Sequence, residues 1–152
     1  LSLPDALPTF LDVGCGKGFL LYEFTRLLPG CKIQGIDISG YAIEHAKEEV
    51  KPFLEVGNAV QLPYDDRSFD FVVSITSLHN LYNYELHAAL QELQRVGKGP
   101  KYLTVESYRN EREKANLLYW QLTCRTFLAT DEWEWLLREY GYTGDFGFIF
   151  FE

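Results

Sequence analysis

The feature that most constrains what this chain can fold into is the turn Gly14-Cys15-Gly16-Lys17-Gly18. It follows the apolar run Thr9 to Val13 and precedes Leu20, Leu21, Phe24, Leu27 and Leu28, which recur at helical spacing until Pro29-Gly30 stops them. A strand that passes into a helix through alternate glycines brings bare backbone, and the unpaired N–H groups of a helix start, close to whatever packs there. The spacing is GxGxG followed by Phe19 and Leu20, not the GxGxxG that cradles a dinucleotide pyrophosphate. A tight strand-to-helix turn with no ligand would use the same glycines.

The rest of the chain repeats this unit. Lys32 to Ile36 reads as a strand ending at Asp37, and Ser39 can cap a helix with Ala42, Ile43, Ala46 and Val50 on its inner face. Phe53 to Val56 is a third strand, followed by a connection from Gly57 to Ser68. The run Phe69 to Ile75 is β-branched and aromatic without alternation, as expected of a strand covered on both faces. Glu85 to Arg95 reads as a helix with Leu86, Ala89, Leu90 and Leu93 inward, closed by Gly97, and Lys101 to Glu106 as a fifth strand. Helices over Glu111 to Leu122 (Leu117, Leu118 and Leu122 inward) and Glu132 to Tyr140 (capped by Thr130 and Asp131) precede an edge strand, Phe146 to Phe151. Of Trp133 and Trp135, two apart on a helix, at most one can face the core. This alternation predicts a Rossmann-like, doubly wound α/β domain, a mostly parallel sheet flanked by helices, with a helical insertion after the fifth strand.

With 152 residues, 47% of them apolar, the chain can form one core, so a single domain over residues 1 to 152 is expected. Its first residue is not Met, which is consistent with a start inside a longer chain. The 22 acidic residues against 14 basic ones give a net charge of −8, the wrong sign for tracking phosphates, so no nucleic-acid partner is expected. Cys15, Cys31 and Cys124 form no CxxC pair, which argues against a disulfide framework or a zinc site and for a reducing, cytoplasmic location. Leu1 to Phe10 lack the basic residues of a signal or transit peptide, and no apolar run approaches the ~20 residues of a membrane span.

Asp37 closes the second strand about 20 residues beyond the glycine turn, where a carboxylate can accept both hydroxyls of a ribose, although a carboxylate there could also serve only the helix start after Ser39. With these residues in place, the chain resembles the class I S-adenosylmethionine-dependent methyltransferases. The blocks that carry the likeness are LDVGCGKGFLL (11 to 21), GIDIS (35 to 39), GNAVQLPYDDRSFDFVVSITSLHNL (57 to 81) and LQELQRVGKGPKYLTVES (90 to 107). The resemblance implies that Asp12 and the Gly14/Gly16/Gly18 loop hold the methionyl part of S-adenosylmethionine. Asp37 would hold the ribose, Ile38 the adenine face, and Asn58 and Ala59 the adenine edge. Cys15 and Ser74, inside the same blocks, complete the expected cofactor set. Asn58 departs from the commoner Asp of the family, and its neutral amide makes a weaker bond to an adenine amino group. The family also commonly ends in an antiparallel strand pair, of which one strand is legible here.

Methyl transfer from a sulfonium is an in-line displacement and requires no metal. If the acceptor gives up a proton, a base is expected beyond the carboxyl ends of the fourth and fifth strands. His79 is the candidate catalytic base; an ordinary hydrogen-bonded histidine in a loop is the alternative. Asn80, Tyr82, Glu106, Tyr108 and Trp120 are the candidate acceptor contacts, and Tyr84 lies beside them. Tyr119, Trp120, Arg125 and Phe127 belong to the Tyr108 to Thr130 insertion, a candidate wall or lid for a small-molecule acceptor. A nicotinamide-dependent oxidoreductase fits less well, because Phe19 stands at the third glycine position; a cofactor-binding protein without catalysis is the remaining alternative.

Overall fold

In a computed structural model, which describes residues 7–152, β1 (Thr9–Val13), β2 (Lys32–Asp37), β3 (Leu54–Val56), β4 (Phe71–Ile75), β5 (Lys101–Glu106) and β6 (Asp145–Ile149) form one sheet in the order β3-β2-β1-β4-β5-β6. Every pairing is parallel. The strand order reverses between β1 and β4, which leaves a crevice beyond their carboxyl ends, where open α/β sheets bind ligands. Residues 1–6, part of the segment read above for targeting signals, lie outside the described residues.

Helices cover both faces. On one, α3 (Asn83–Val96) and α5 (Thr130–Glu139) bury Leu86, Ala89, Leu90, Leu93, Trp133, Leu136 and Leu137 against Leu11, Val13, Val72, Leu103 and Val105. Each large side chain so buried contributes roughly 2 kcal/mol. On the other, α1 (Phe19–Leu27) packs Leu21 and Phe24 with Phe10, Ile33, Val50 and Leu54. Trp133 is 1% exposed and Trp135 57%, as their spacing requires.

Five expectations about elements need correction. The helix after Ser39 is only α2 (Gly40–Glu44): beyond it the Lys47 N–H donates to the Lys17 carbonyl at 2.9 Å, and Val50 comes down onto the glycine turn. Ala46 and Val50 are buried as expected, but from an irregular segment. α3 starts at Asn83, where the Glu85 carboxylate accepts from the Tyr82 N–H at 3.0 Å. α4 (Glu111–Trp120) stops before Leu122, and its inward residues are Glu113 and Leu117, whereas Leu118 and Leu122 are exposed. α5 starts at Thr130, two residues before the expected start, where Asp131 Oδ1 accepts from the Glu132 N–H at 3.0 Å and the Glu132 carboxylate takes the Ala129 N–H, with no bond from the Thr130 hydroxyl among the described residues. β6 lies parallel beside β5 at the sheet edge, in place of the first member of an antiparallel pair.

The long connection from β3 to β4 is held largely by an ion-pair network around Arg95, with the Glu92 carboxylate also accepting from the Leu62 N–H at 2.7 Å. Arg95 of α3 is held by Glu92 and Asp66 and donates to the carbonyls of Leu62 and Tyr64. This ties down the connection that begins at Asn58 and Ala59.

Candidate active site

The crevice is a cleft of about 360 Å³ lined from three directions. Val13, Gly14, Ile36, Asp37 and Ile38 come from the ends of β1 and β2, Gly57, Asn58 and Ala59 from the end of β3, and Ser77, Leu78, Asn80, Leu81, Tyr82 and Glu85 from beyond β4, joined by Arg125 of the segment between α4 and α5.

The first wall is main chain organised by one carboxylate. Gly14, Gly16 and Gly18 all have positive φ, the left-handed region open to glycine. Gly14 also has no room for a side chain, since a Cβ there would lie 2.0 Å from the Ser77 hydroxyl oxygen. Asp37 accepts from the Gly16 N–H at 2.8 Å and, through its other oxygen, from the Ser39 N–H at 2.8 Å. Each oxygen keeps a lone pair for a further donor. Ile38, 69% exposed, presents an apolar surface beside it, and Asn58 Oδ1 accepts from the Val60 N–H at 3.1 Å.

Asp12 sits just behind this wall. It is 3% exposed, and its Oδ1 has no hydrogen-bond partner among the described residues. Burial, and next the negative charge of Asp37, push its carboxyl up to about 7. A buried carboxylate oxygen with no donor is costly, so its retention at the turn fits an incoming cationic group. S-Adenosylmethionine meets these features: Asp12 suits its ammonium, Asp37 its diol, Ile38 its adenine face and the bare turn its methionyl chain.

Other expected site residues lie elsewhere. Cys15 is buried, with its N–H bonded to the Ile36 carbonyl. The Ser74 hydroxyl donates to the Val13 carbonyl at 2.8 Å and joins β4 to β1 instead of facing the cleft. Of the acceptor candidates, Asn80 and Tyr82 line the cleft. Tyr108 pairs with Ala129 beyond β5 under the Lys114 ammonium, and Trp120 is exposed with its edge against Tyr119; neither lines the cleft.

His79 is 1% exposed and does not line the cleft, though its neighbours Leu78 and Asn80 do. Its Nδ1 accepts from the Glu106 N–H at 3.3 Å, so the neutral ring carries its proton on Nε2, which lies 3.3 Å from Glu106 Oε2. Burial lowers its pKa to about 4 and raises that of Glu106. The Gln121 side chain donates to the same Glu106 oxygen. Cys124 completes a cluster whose donor atoms lie within 4.8 Å of one another, but the Nε2 proton occupies the lone pair a metal would need. The His79 carbonyl also accepts from the Arg125 and Thr126 N–H groups. His79 thus ties the end of β4 to the end of β5 and to the insertion.

Sequence reasoning missed Ser77, Leu78, Leu81 and Glu85 as lining residues. They flank expected ones, and only the course of the turn after β4 decides which of them face the cleft. That turn includes Thr76 at φ 50, held by the Thr104 hydroxyl and carbonyl oxygens.

Residues 5–141 match the family model described as a methyltransferase domain, so the chain belongs to the class I S-adenosylmethionine-dependent methyltransferase family. It is 34% identical over 118 residues to a tRNA (carboxymethyluridine(34)-5-O)-methyltransferase of Arabidopsis thaliana, a match covering 77% of this chain and 28% of that protein. It is 30% identical over 135 residues to a demethylmenaquinone methyltransferase of Symbiobacterium thermophilum, covering 81% of this chain and 51% of the relative. The chain therefore spans about half or less of these relatives. The solved YcgJ protein of Bacillus subtilis shares the fold, with a TM-score of 0.72 at 22% identity over 89% of this chain and 62% of that one.

Proposed function

We propose that this chain transfers the methyl group of S-adenosylmethionine by in-line displacement to a small-molecule acceptor held in the cleft. What supports this reading is the convergence of the Gly14 turn, Asp37, Ile38 and Asn58 along one cleft at the sheet's switch point, with Asp12 buried and unpartnered behind it. When bound, the cofactor supplies an electrophilic methyl on a sulfonium. The chain's own part is to hold the two reactants in line: Asp12 and the turn take the amino-acid end, Asp37 the ribose, Ile38 and Asn58-Ala59 the adenine, and Asn80 and Tyr82 the acceptor side. His79, expected above as a base, serves in this reading as a positioning residue, because its ring is out of reach of the cleft and already bonded to Glu106.

The plant relative is named for a tRNA acceptor. The net charge of −8 favours a small molecule for this chain. Three free cysteines suit a reducing, cytoplasmic setting, and no described helix is long and apolar enough to cross a membrane.

Titration calorimetry with S-adenosylhomocysteine and with NAD tests the reading. The former should bind and the latter should not. Asp37→Asn, chosen over Ala because an amide oxygen can still accept one of the loop N–H groups, should weaken S-adenosylhomocysteine by at least about 30-fold, the loss of one or two charge-assisted hydrogen bonds. Unchanged affinity with an unchanged melting temperature would remove Asp37 from the ribose site.

A further inference from the structure

We propose that the acceptor carries an oxyanion, a carboxylate or phosphate, and that Arg125 receives it; this rests on the methyltransferase reading above. Arg125 is the one cationic side chain among the residues lining the cleft, in a chain whose net charge is −8. The lining carboxylates do not neutralise it. Glu85 accepts from the Tyr82 N–H at the start of α3, and Asp37 is held by the Gly16 and Ser39 N–H groups. Arg26 is paired with Glu23, Arg95 with Glu92 and Asp66, and Arg109 with Glu113 and Glu152, while Arg67, Arg112 and Arg138 are exposed and outside the cleft. Arg125 has no carboxylate partner among the described residues.

It is nonetheless held in place. Its guanidinium lies over the Tyr82 ring, 4.4 Å from the centroid, with one nitrogen against the Tyr82 hydroxyl. Tyr82 in turn stacks on Tyr84 at 5.3 Å with an interplanar angle of 9°. The backbone around it is clamped to the turn after β4. The Arg125 N–H donates to the His79 carbonyl at 2.9 Å, the Thr126 hydroxyl to the Leu81 carbonyl at 2.6 Å, and the Thr123 hydroxyl to Asn80 Oδ1 at 3.0 Å. A fixed planar fork with free N–H donors, facing a cleft that otherwise disfavours anions, is suited to one oxyanion presented in a defined direction. The cofactor's own carboxylate is the rival ligand. The side chain that holds Arg125, Tyr82, comes from beyond β4, whereas the amino-acid end of the cofactor is assigned to the β1 turn.

The test compares the chain with Arg125→Gln and Arg125→Lys, using S-adenosylhomocysteine and 5′-methylthioadenosine, which lacks the amino-acid carboxylate. Arg125→Gln should bind both nucleosides within about two-fold of the parent. In the S-adenosylhomocysteine complex, titration with inorganic phosphate or with acetate should shift the Arg125 Nε–H resonance to saturation, and the anion that saturates names the group. Arg125→Lys, which keeps the charge without the fork, should lose at least about five-fold in that anion's affinity. Two results would overturn the proposal: selective weakening of S-adenosylhomocysteine but not methylthioadenosine by ten-fold or more in Arg125→Gln, which would make the cofactor carboxylate the ligand, or no saturable shift with either anion. If the parent binds neither nucleoside, the methyltransferase reading falls first.

Discussion

The two walls of the cleft are built in different ways. The β1/β2 wall is main chain: a turn of glycines, one buried acid and one carboxylate that bonds two loop N–H groups. The wall beyond β4 is side chains, Asn80, Tyr82, Glu85 and Arg125, brought together by contacts such as that between Tyr82 and Arg125, 43 positions apart. In the proposed function the first arrangement meets parts common to any molecule of the cofactor, so backbone geometry suffices. The second is the wall proposed to face the acceptor, and its chemistry can change by substitution without disturbing the fold.

If the first wall is a matter of backbone shape, the largest effect should come from the smallest atom added to it. Gly14→Ala places a methyl group on a residue at φ 83 and 2.0 Å from the Ser77 hydroxyl oxygen. The left-handed conformation alone costs about 1–2 kcal/mol, and the collision adds to it. A lower melting temperature and loss of measurable S-adenosylhomocysteine binding are expected. The double variant Gly14→Ala/Ser77→Gly removes the collision but not the φ penalty, so it should recover stability only in part. Full recovery would mean that sterics, and not backbone conformation, define this wall.

Asp12→Asn sharpens the same wall electrostatically. Its folded-state pKa of about 7 lies above the ordinary 3.8, so the folded chain holds a proton that the unfolded chain releases. That contribution to stability is complete below about pH 4 and is lost as pH rises to about 7. Asn keeps the shape without the buried charge, so above pH 7 the variant should be more stable than the parent, by at most about 4 kcal/mol at 1.36 kcal/mol per unit. His79 works in the opposite sense: with a pKa of about 4 against 6.5, it withdraws stability as pH falls through that window. Asp12→Asn removes the opposing gain from Asp12, so the variant's advantage over the parent should shrink as pH falls from 7 and vanish below about pH 4, where both side chains are neutral. For the ligand, binding of an ammonium at Asp12 expels its proton. S-Adenosylhomocysteine affinity should therefore rise toward pH 7 in the parent and become flatter, and at least about ten-fold weaker, in the variant. A parental pH slope retained in Asp12→Asn would move the ammonium site elsewhere.

The same division explains what could be read from the chain. Glycine spacing, the acid closing β2 and unbroken apolar strands are local signals, and they located the sheet and the first wall. The extent of α2 was not local, because the Lys17 carbonyl captures the Lys47 N–H from across the turn. The orientation of His79 was not local either. Its position after β4 resembles that of a residue facing ligand, and only the Glu106 N–H, 27 positions away, turns its ring into the protein. Arg125 was grouped with Tyr119, Trp120 and Phe127 as a candidate wall, and nothing in its sequence neighbours set it apart from Tyr119 or Trp120, which do not line the cleft.

The smallest expected effect lies on α4 and the turn after it, outside both walls. The sequence pattern counts Leu117, Leu118 and Leu122 as one inward stripe, but α4 ends at Trp120 and leaves Leu122 96% exposed while Leu117 is fully buried. Leu117→Ala should cost about 2–4 kcal/mol, the range for a buried leucine. Leu122→Ser should stay within about 0.5 kcal/mol, as surface substitutions do, and leave S-adenosylhomocysteine affinity unchanged. The two melting curves, measured side by side, separate a core stripe from an outer surface. A Leu122→Ser melting temperature as low as that of Leu117→Ala would mean that the insertion packs Leu122 in solution, and that the aromatic segment beyond β5 belongs to the acceptor wall after all.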